Sequence, residues 1–266
     1  MHIRALLFDL DDTLLPDRGN FEACLRQACT QVPGADAAAL AETVRVRARE
    51  LWRAAPDWDF GNRLGISSWE ALASDFPGDQ PAMPRLRAWA PHFRREAWQA
   101  ALDEHGVRAD PQELNAEFVR RRQETRRLFD DALLALQTAA AHYPLALVTN
   151  GPADIQHGKI EAIGIAHFFS AVVISGELGA GKPHPEPFEA ALRQLRVDPS
   201  QAVMIGDSLE RDVAGATALG LSAILLNRDS FYRHDPGVPK MSSLAELPRV
   251  LAALARLDTM SPTAQR

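Results

Sequence analysis

Lysine is nearly missing from this chain: three occur in 266 residues, at Lys159, Lys182 and Lys240. Cysteine is scarcer still, with only Cys24 and Cys29, close together in a stretch that reads as a helix and at no metal-ligand spacing. That argues against a disulfide framework or a cysteine metal site, and two buried free thiols in a reducing compartment are expected. No apolar run approaches the roughly 20 residues that span a bilayer. Acid arrives by Asp9, too early for a signal-peptide core, so the expectation is a cytoplasmic protein with no membrane partner. An excess of basic charge is lacking too. The net charge of −6 argues against a nucleic-acid partner, whose backbone needs a basic face. The eight histidines are scattered without ligand spacing, and there is no internal repeat.

What is present is unevenly spread. With 46% hydrophobic residues the chain can bury a sizeable core. Residues 16–127 hold 17 Arg, 17 Asp and Glu together, and no Lys, so the whole negative balance comes from the remainder. All five tryptophans (Trp52, Trp58, Trp69, Trp89, Trp98) also fall inside 16–127. Such a shift in composition marks a domain. We read 16–127 as an insertion into a unit formed by 1–15 and 128–266.

The insertion reads as all-helical. After a linker at Pro16–Asn20, helices are expected at 21–32, at 36–53 with Asp36 as cap, and at roughly 67–75, 84–105 and 111–128. Ala55–Gly65, with Pro56, Gly61 and Gly65, is expected to be a loop. From Asp130 the pattern alternates. Short apolar strands at 145–149, 171–175, 202–205 and 223–226 are separated by helices at 131–141, 153–163, 185–196 and 209–219, with a terminal helix near 243–256. Together with the strand Ile3–Phe8 this is an α/β, doubly wound, Rossmann-like parallel sheet covered on both faces. The tail after Asp258 is expected to fray.

Open parallel sheets bind ligands at the carboxyl ends of their strands. The first strand runs into Asp9 and Asp11, which project to the same side of extended backbone. The 145–149 strand ends in Thr149-Asn150-Gly151, a hydroxyl and amides suited to phosphate oxygens. The 171–175 strand leads to Lys182-Pro183, and the 202–205 strand to Gly206-Asp207-Ser208 with Asp212 beyond. Carboxylates, hydroxyl, amides and an ammonium on one rim suit a hard cation such as Mg²⁺ and a phosphate.

These four segments, D-x-D-x-T at Asp9–Thr13, T-N-G at Thr149–Gly151, K-P at Lys182–Pro183 and G-D-S-x-x-x-D at Gly206–Asp212, resemble in order the motifs of the haloacid dehalogenase-like superfamily. The match covers 1–15 and about 128–230, and the insertion sits where that family places its cap. The resemblance implies an aspartyl-phosphate on the nucleophile Asp9, with Asp11 as general acid and then base. It implies Asp207 as a Mg²⁺ ligand beside Asp9 and the Asp11 carbonyl, and Asp212 as a water-bridged ligand or orienting group. Thr149 and the Asn150 amide would hold phosphate oxygens, Lys182 would neutralise charge, and Thr13, Gly151 and Ser208 would support them. Asp12 falls outside the motif frame and reads as a turn residue.

The activity so implied is a Mg²⁺-dependent phosphatase acting on a small phosphorylated metabolite, as monomer or homodimer. A phosphomutase would share every core residue, and a non-catalytic phospho-ligand binder remains the alternative of another class. Dehalogenases need only the first aspartate, and a phosphonatase needs a cap lysine that this insertion lacks. A P-loop reading of Gly176–Lys182 fails at Pro183, where Ser or Thr should bind Mg²⁺. Inside the insertion, Arg63 in the 55–65 loop is the candidate substrate contact. The Arg45/Arg49/Arg53 stripe and the run Arg120–Arg122 with Arg126 and Arg127 read as solvated faces, and the tryptophans as the core of a helical bundle.

Overall fold

The computed structural model describes residues 2–228, 231–233 and 237–257; the tail after Asp258 lies outside them. Six strands form one parallel sheet: β1 (Ala5–Phe8), β2 (Leu145–Thr149), β3 (Ala171–Ile174), β4 (Ala202–Gly206), β5 (Ser222–Leu226) and β6 (Lys240–Met241), in the order β3-β2-β1-β4-β5-β6. The two-residue β6 is an edge that sequence patterning missed; it is too short to carry a period.

Successive strand residues point to opposite faces, and each face finds its own cover. Leu6, Phe8, Leu147, Val203, Ile205 and Ile224 pack with α7 (Ala132–Ala140) and α12 (Leu247–Leu257). Leu7, Ala146, Val148, Met204 and Leu225 pack on the other side with α10 (Pro185–Leu195) and α11 (Gly215–Ala218). Burial on both faces explains why these strands read as unbroken apolar runs.

The first insertion helix, α1 (Arg18–Cys29), begins inside the expected linker, because Asp12 accepts the backbone N–H groups of Asp17 and Arg18 at 3.0 and 3.1 Å. Asp12 is thus a turn residue, at φ +56°, that also starts a helix. Next come α2 (Ala37–Arg53), capped by Asp36 as expected, α3 (Trp58–Arg63), α4 (Ser68–Ala71), α5 (Met83–Glu104) and α6 (Pro111–Glu124). The expected 55–65 loop therefore contains a helix. It turns over Trp52, whose ring lies where a Cβ on Gly61 would meet it at 2.8 Å. These helices share a separate apolar cluster built only from residues between Phe21 and Phe118, with Trp52 and Trp98 fully buried in it. Trp98 donates to Asn115 Oδ1 at 3.0 Å, which settles its one polar atom. Cys24 and Cys29 are free and buried there.

Two further elements matter for the rim. Helix α8 (Ala153–Ile163) follows β2 as expected, and a short α9 (Ser175–Leu178) takes over directly from β3. After β4, where a plain helix was expected, residues Leu209–Ala214 form a π-helical turn that leads into α11. Such a turn widens the backbone locally and is often found at functional positions. No helix among the described residues is long and apolar enough to cross a membrane.

Candidate active site

The strand order reverses around β1, so the crevice for a ligand lies between the carboxyl ends of β1 and β4. Asp9 closes the seam there, its backbone N–H donating to Ile205 O at 2.9 Å. Lys182 reaches the same point from the loop after β3. Its ammonium donates to Asp9 Oδ1 at 2.6 Å and to Asp212 Oδ1 at 2.7 Å, with all three side chains buried. Asn150, at the end of β2, fixes the lysine's backbone from both sides: its Nδ2 donates to Lys182 O and its Oδ1 accepts from Lys182 N–H, each at 2.8 Å. Ser208 N–H donates to Asp212 Oδ2 at 3.0 Å, and the π-helical turn brings that carboxyl back over Gly206. A side chain at Gly206 would collide with it. The Thr13 hydroxyl lies 3.5 Å from Asp9 Oδ2.

Electrostatics mark this as a place short of positive charge. Burial raises Asp9, with Asp212 adding to it and Lys182 opposing. Asp207 is pushed up to about 8 by burial first, then by Asp9, Asp212 and Asp12, against the pull of Lys182. Burial disfavours the Lys182 ammonium, yet Asp212 and Asp9 outweigh it and hold the lysine's pKa up. One carboxylate oxygen from each of Asp9, Asp207 and Asp212 lies within 4.8 Å of the other two. An all-oxygen donor set with excess negative charge fits a hard divalent cation, which would offset the burial and the repulsion that together lift Asp207.

Asp11 stands beside this group but answers to other partners. Lys159 of α8 donates to both its oxygens at 2.8 Å, and Gln156 Nε2 reaches Oδ2 at 3.0 Å and Thr149 Oγ1 at 2.5 Å. The same ammonium meets Asp17 Oδ1 at 3.1 Å and Glu70 Oε1 at 3.6 Å. Asp17 is bound in turn by Arg122 Nη2 at 2.9 Å and by Trp69 Nε1 at 3.3 Å. Burial pushes Asp11 up to about 7; Lys159 pulls against it, and Asp17 and Glu70 add to it.

The structure brings Asp9, Asp11, Thr13, Thr149, Asn150, Gly151, Lys182, Asp207, Ser208 and Asp212 to one rim. A cavity of about 320 Å³ opens there, lined by all of these except Thr13, Thr149 and Gly151 and roofed by Gly65, Ser67, Trp69 and Glu70 of the helical insertion. Arg63 is not brought there. Its guanidinium pairs with Glu186 at 2.6 Å on the outside, and only its carbonyl faces inward, accepting from Gly181 N–H at 2.9 Å. Arg122 corrects the solvated reading of its run: Arg120 and Arg121 do pair with Glu117 on the surface, but Arg122 is buried against Asp17. Lys159, Gln156, Asp17, Glu70 and Arg122 escaped sequence reading. For Lys159 a signal existed, since it is one of three lysines and sits one helical turn after Gln156, just beyond the Thr149 strand end.

Known proteins resemble this chain in sequence and in fold. The family model of haloacid dehalogenase-like hydrolases matches residues 3–220. A phosphoserine phosphatase of Thermus thermophilus is 37% identical over 85% of this chain and 89% of its own length. A ribulose-1,5-bisphosphate 5-phosphatase of Halopiger xanaduensis is 30% identical over 84% of each chain. Among solved structures, the magnesium-bound HAD-hydrolase YfnB of Bacillus subtilis superposes with a TM-score of 0.66 at 23% identity, covering 94% of this chain and 99% of that one. The chain belongs to the haloacid dehalogenase-like hydrolases.

Proposed function

We propose that the protein is a phosphatase that hydrolyses a small phosphorylated metabolite through an aspartyl-phosphate on Asp9, with residues 16–127 as its cap. The observation that carries this reading is the Lys182 ammonium clamped between Asp9 and Asp212 while Asp11, two residues on, is held separately. Asp9 Oδ attacks phosphorus and the bond from phosphorus to the leaving oxygen breaks. Asp11 gives its proton to that oxygen. Asp11 then takes a proton from water, the water oxygen attacks phosphorus, and the bond to Asp9 breaks, so the free carboxylate and inorganic phosphate are released. A group near pH 7 can serve as acid and then base at neutral pH, which burial provides for Asp11. Lys182 offsets charge on the transferring group, and Thr149 with the Asn150 amide receives its oxygens.

Mg²⁺ fits the donor set: Asp9, Asp207 and the Asp11 carbonyl would hold it, and Asp212 would ligate it through water or orient those ligands. It would supply the positive charge that lets an anionic carboxylate approach an anionic phosphate. The relatives named as phosphatases of phosphoserine and of ribulose 1,5-bisphosphate support a small phosphorylated substrate, as does the size of the roofed cavity. The test is turnover of p-nitrophenyl phosphate with Mg²⁺, followed by a panel of phosphorylated metabolites. Selective hydrolysis of one class supports the reading, and inactivity of folded protein on every ester overturns it.

A further inference from the structure

Lys159 is 1% exposed, and a buried ammonium is costly unless carboxylates surround it. Three do, and they come from two sides. Asp11 belongs to the sheet unit, while Asp17 and Glu70 are carried by the cap. Glu70 is itself held by the capping box of α4: its Oε2 accepts from Ser67 N–H at 2.9 Å and from Ser67 Oγ at 2.6 Å, leaving Oε1 to face the lysine. The sheet unit makes room for it. Gly151 adopts φ +136°, and a Cβ there would stand 2.7 Å from Glu70 Oε1. A residue other than glycine at the end of β2 would push the cap's carboxylate off the lysine.

We propose that Lys159 is a positioning residue for Asp11, and that Asp17 and Glu70 make this positioning depend on the cap being seated. This deepens the phosphatase reading and rests on it. Asp11 keeps 23% side-chain exposure and lines the cavity, so one aspect of its carboxyl meets the ligand while Lys159 and Gln156 grip the other. With the cap down, the ammonium is dry and anchored by three carboxylates, and the Asp11 carboxyl has one orientation. Lifting the cap takes Asp17 and Glu70 away and admits water. A single ammonium–carboxylate pair in water is weak, so Asp11 loses its fixed aim. The acid is thus aligned with a leaving oxygen only while the site is closed.

Proton donation matters more as the leaving group becomes more basic, and that separates positioning from a merely structural role. The probes are substituted phenyl phosphates from p-nitrophenyl to p-methoxyphenyl, whose shapes are nearly constant. In Lys159→Met, kcat/KM should fall about 100-fold on p-methoxyphenyl phosphate and less than about tenfold on p-nitrophenyl phosphate. Glu70→Gln should show the same slope more weakly, together with faster amide exchange in α4 and α8. If Lys159→Met does not fold, Gln156→Met, which removes an uncharged contact to the same carboxyl and one to Thr149, carries the test through the slope of its losses across the esters, since the Thr149 contact affects every ester alike. Equal losses on every ester in folded variants would overturn the inference while leaving the phosphatase reading intact. A wild-type chain that turns over none of the esters refutes that reading, and this inference with it.

Discussion

The cluster around Asp9 sets three carboxylates, Asp9, Asp207 and Asp212, against one cation, Lys182; the cluster around Asp11 sets Asp11, Asp17 and Glu70 against two, Lys159 and Arg122. The first is drawn wholly from the sheet unit, from strand ends and the segments that follow them, and is left short of positive charge. The second is shared between sheet unit and insertion and nearly balances itself. Buried charge must be compensated by something. Where the chain supplies too little, the remainder comes from a proton, as the raised Asp207 shows, or from a bound cation or ligand that displaces it. Where it supplies enough, the charges hold parts of the molecule together. We therefore read the incomplete cluster as a candidate binding site and the nearly balanced one as a joint.

The largest effect should come from the incomplete cluster. Asp9→Asn keeps the shape but removes the proposed nucleophile and one of the two acceptor oxygens, and turnover of p-nitrophenyl phosphate should drop by at least about 10⁴-fold. Unfolding by urea should stay cooperative, because the change lightens a repulsive group of carboxylates. Residual turnover near the wild-type rate would mean that Asp9 is only an electrostatic member of the cluster and that another group attacks phosphorus.

Metal removal tests the charge deficit directly. EDTA should abolish activity and Mg²⁺ restore it. Stability should respond as well, with a pH dependence of fixed sign. Asp207 stands at about 8 in the metal-free fold, against 3.8 for an ordinary aspartate. Between those values the folded chain holds a proton that the unfolded chain has lost, so this group makes the metal-free protein less stable as pH rises from about 4 to about 8. Bound Mg²⁺ relieves that penalty. The gap in Tm between Mg²⁺-loaded and EDTA-treated protein should widen over this window, and saturation at about 100 times Kd contributes about 2.7 kcal/mol. Asp207→Asn should flatten the trend. A gap that narrows with rising pH would contradict it.

How far each cluster could be read from sequence follows from the same contrast. Asp9 and Asp207 directly follow apolar strands, Lys182 and Asp212 lie in the segments leaving β3 and β4, and a parallel sheet gathers its strand exits whatever the insertion does. The balanced cluster needs a face of α6, the start of α4 and the linker to meet α8, an approach fixed only by tertiary packing. Arg122 shows the difficulty. It continues the stripe Leu114, Phe118 at steps of four, which marks an inward face, but its neighbours Arg120 and Arg121 made the whole run look solvated. Residues 55–65 hide a helix for a related reason: Gly61 has the look of a breaker, whereas it is small so that a helix can lie against Trp52.

The joint should break when its balance is removed. Arg122→Met leaves the buried Asp17 with Lys159 alone as its charged partner, and losing one side of a buried pair costs about 3–5 kcal/mol. Urea unfolding should register that loss, whereas the Mg²⁺-dependent gain in Tm should persist, because the metal cluster shares no residue with Arg122. Loss of both together would show that the two clusters are one.

The smallest effect is expected at Arg63, and it sharpens the boundary of the joint. Its pair with Glu186 crosses from insertion to sheet unit, as Lys159 does, but both side chains are more than 40% exposed. Exposed pairs contribute roughly 0–1 kcal/mol, because water screens the attraction and two long side chains must be immobilised. The structural contact at this position is made by the Arg63 carbonyl with Gly181 N–H, which alanine retains. Arg63→Ala should therefore change kcat/KM by less than about twofold on p-nitrophenyl phosphate and on the best metabolite alike. A rise in KM confined to the metabolite would return Arg63 to the substrate, and would mean that the Glu186 pair opens when the ligand arrives.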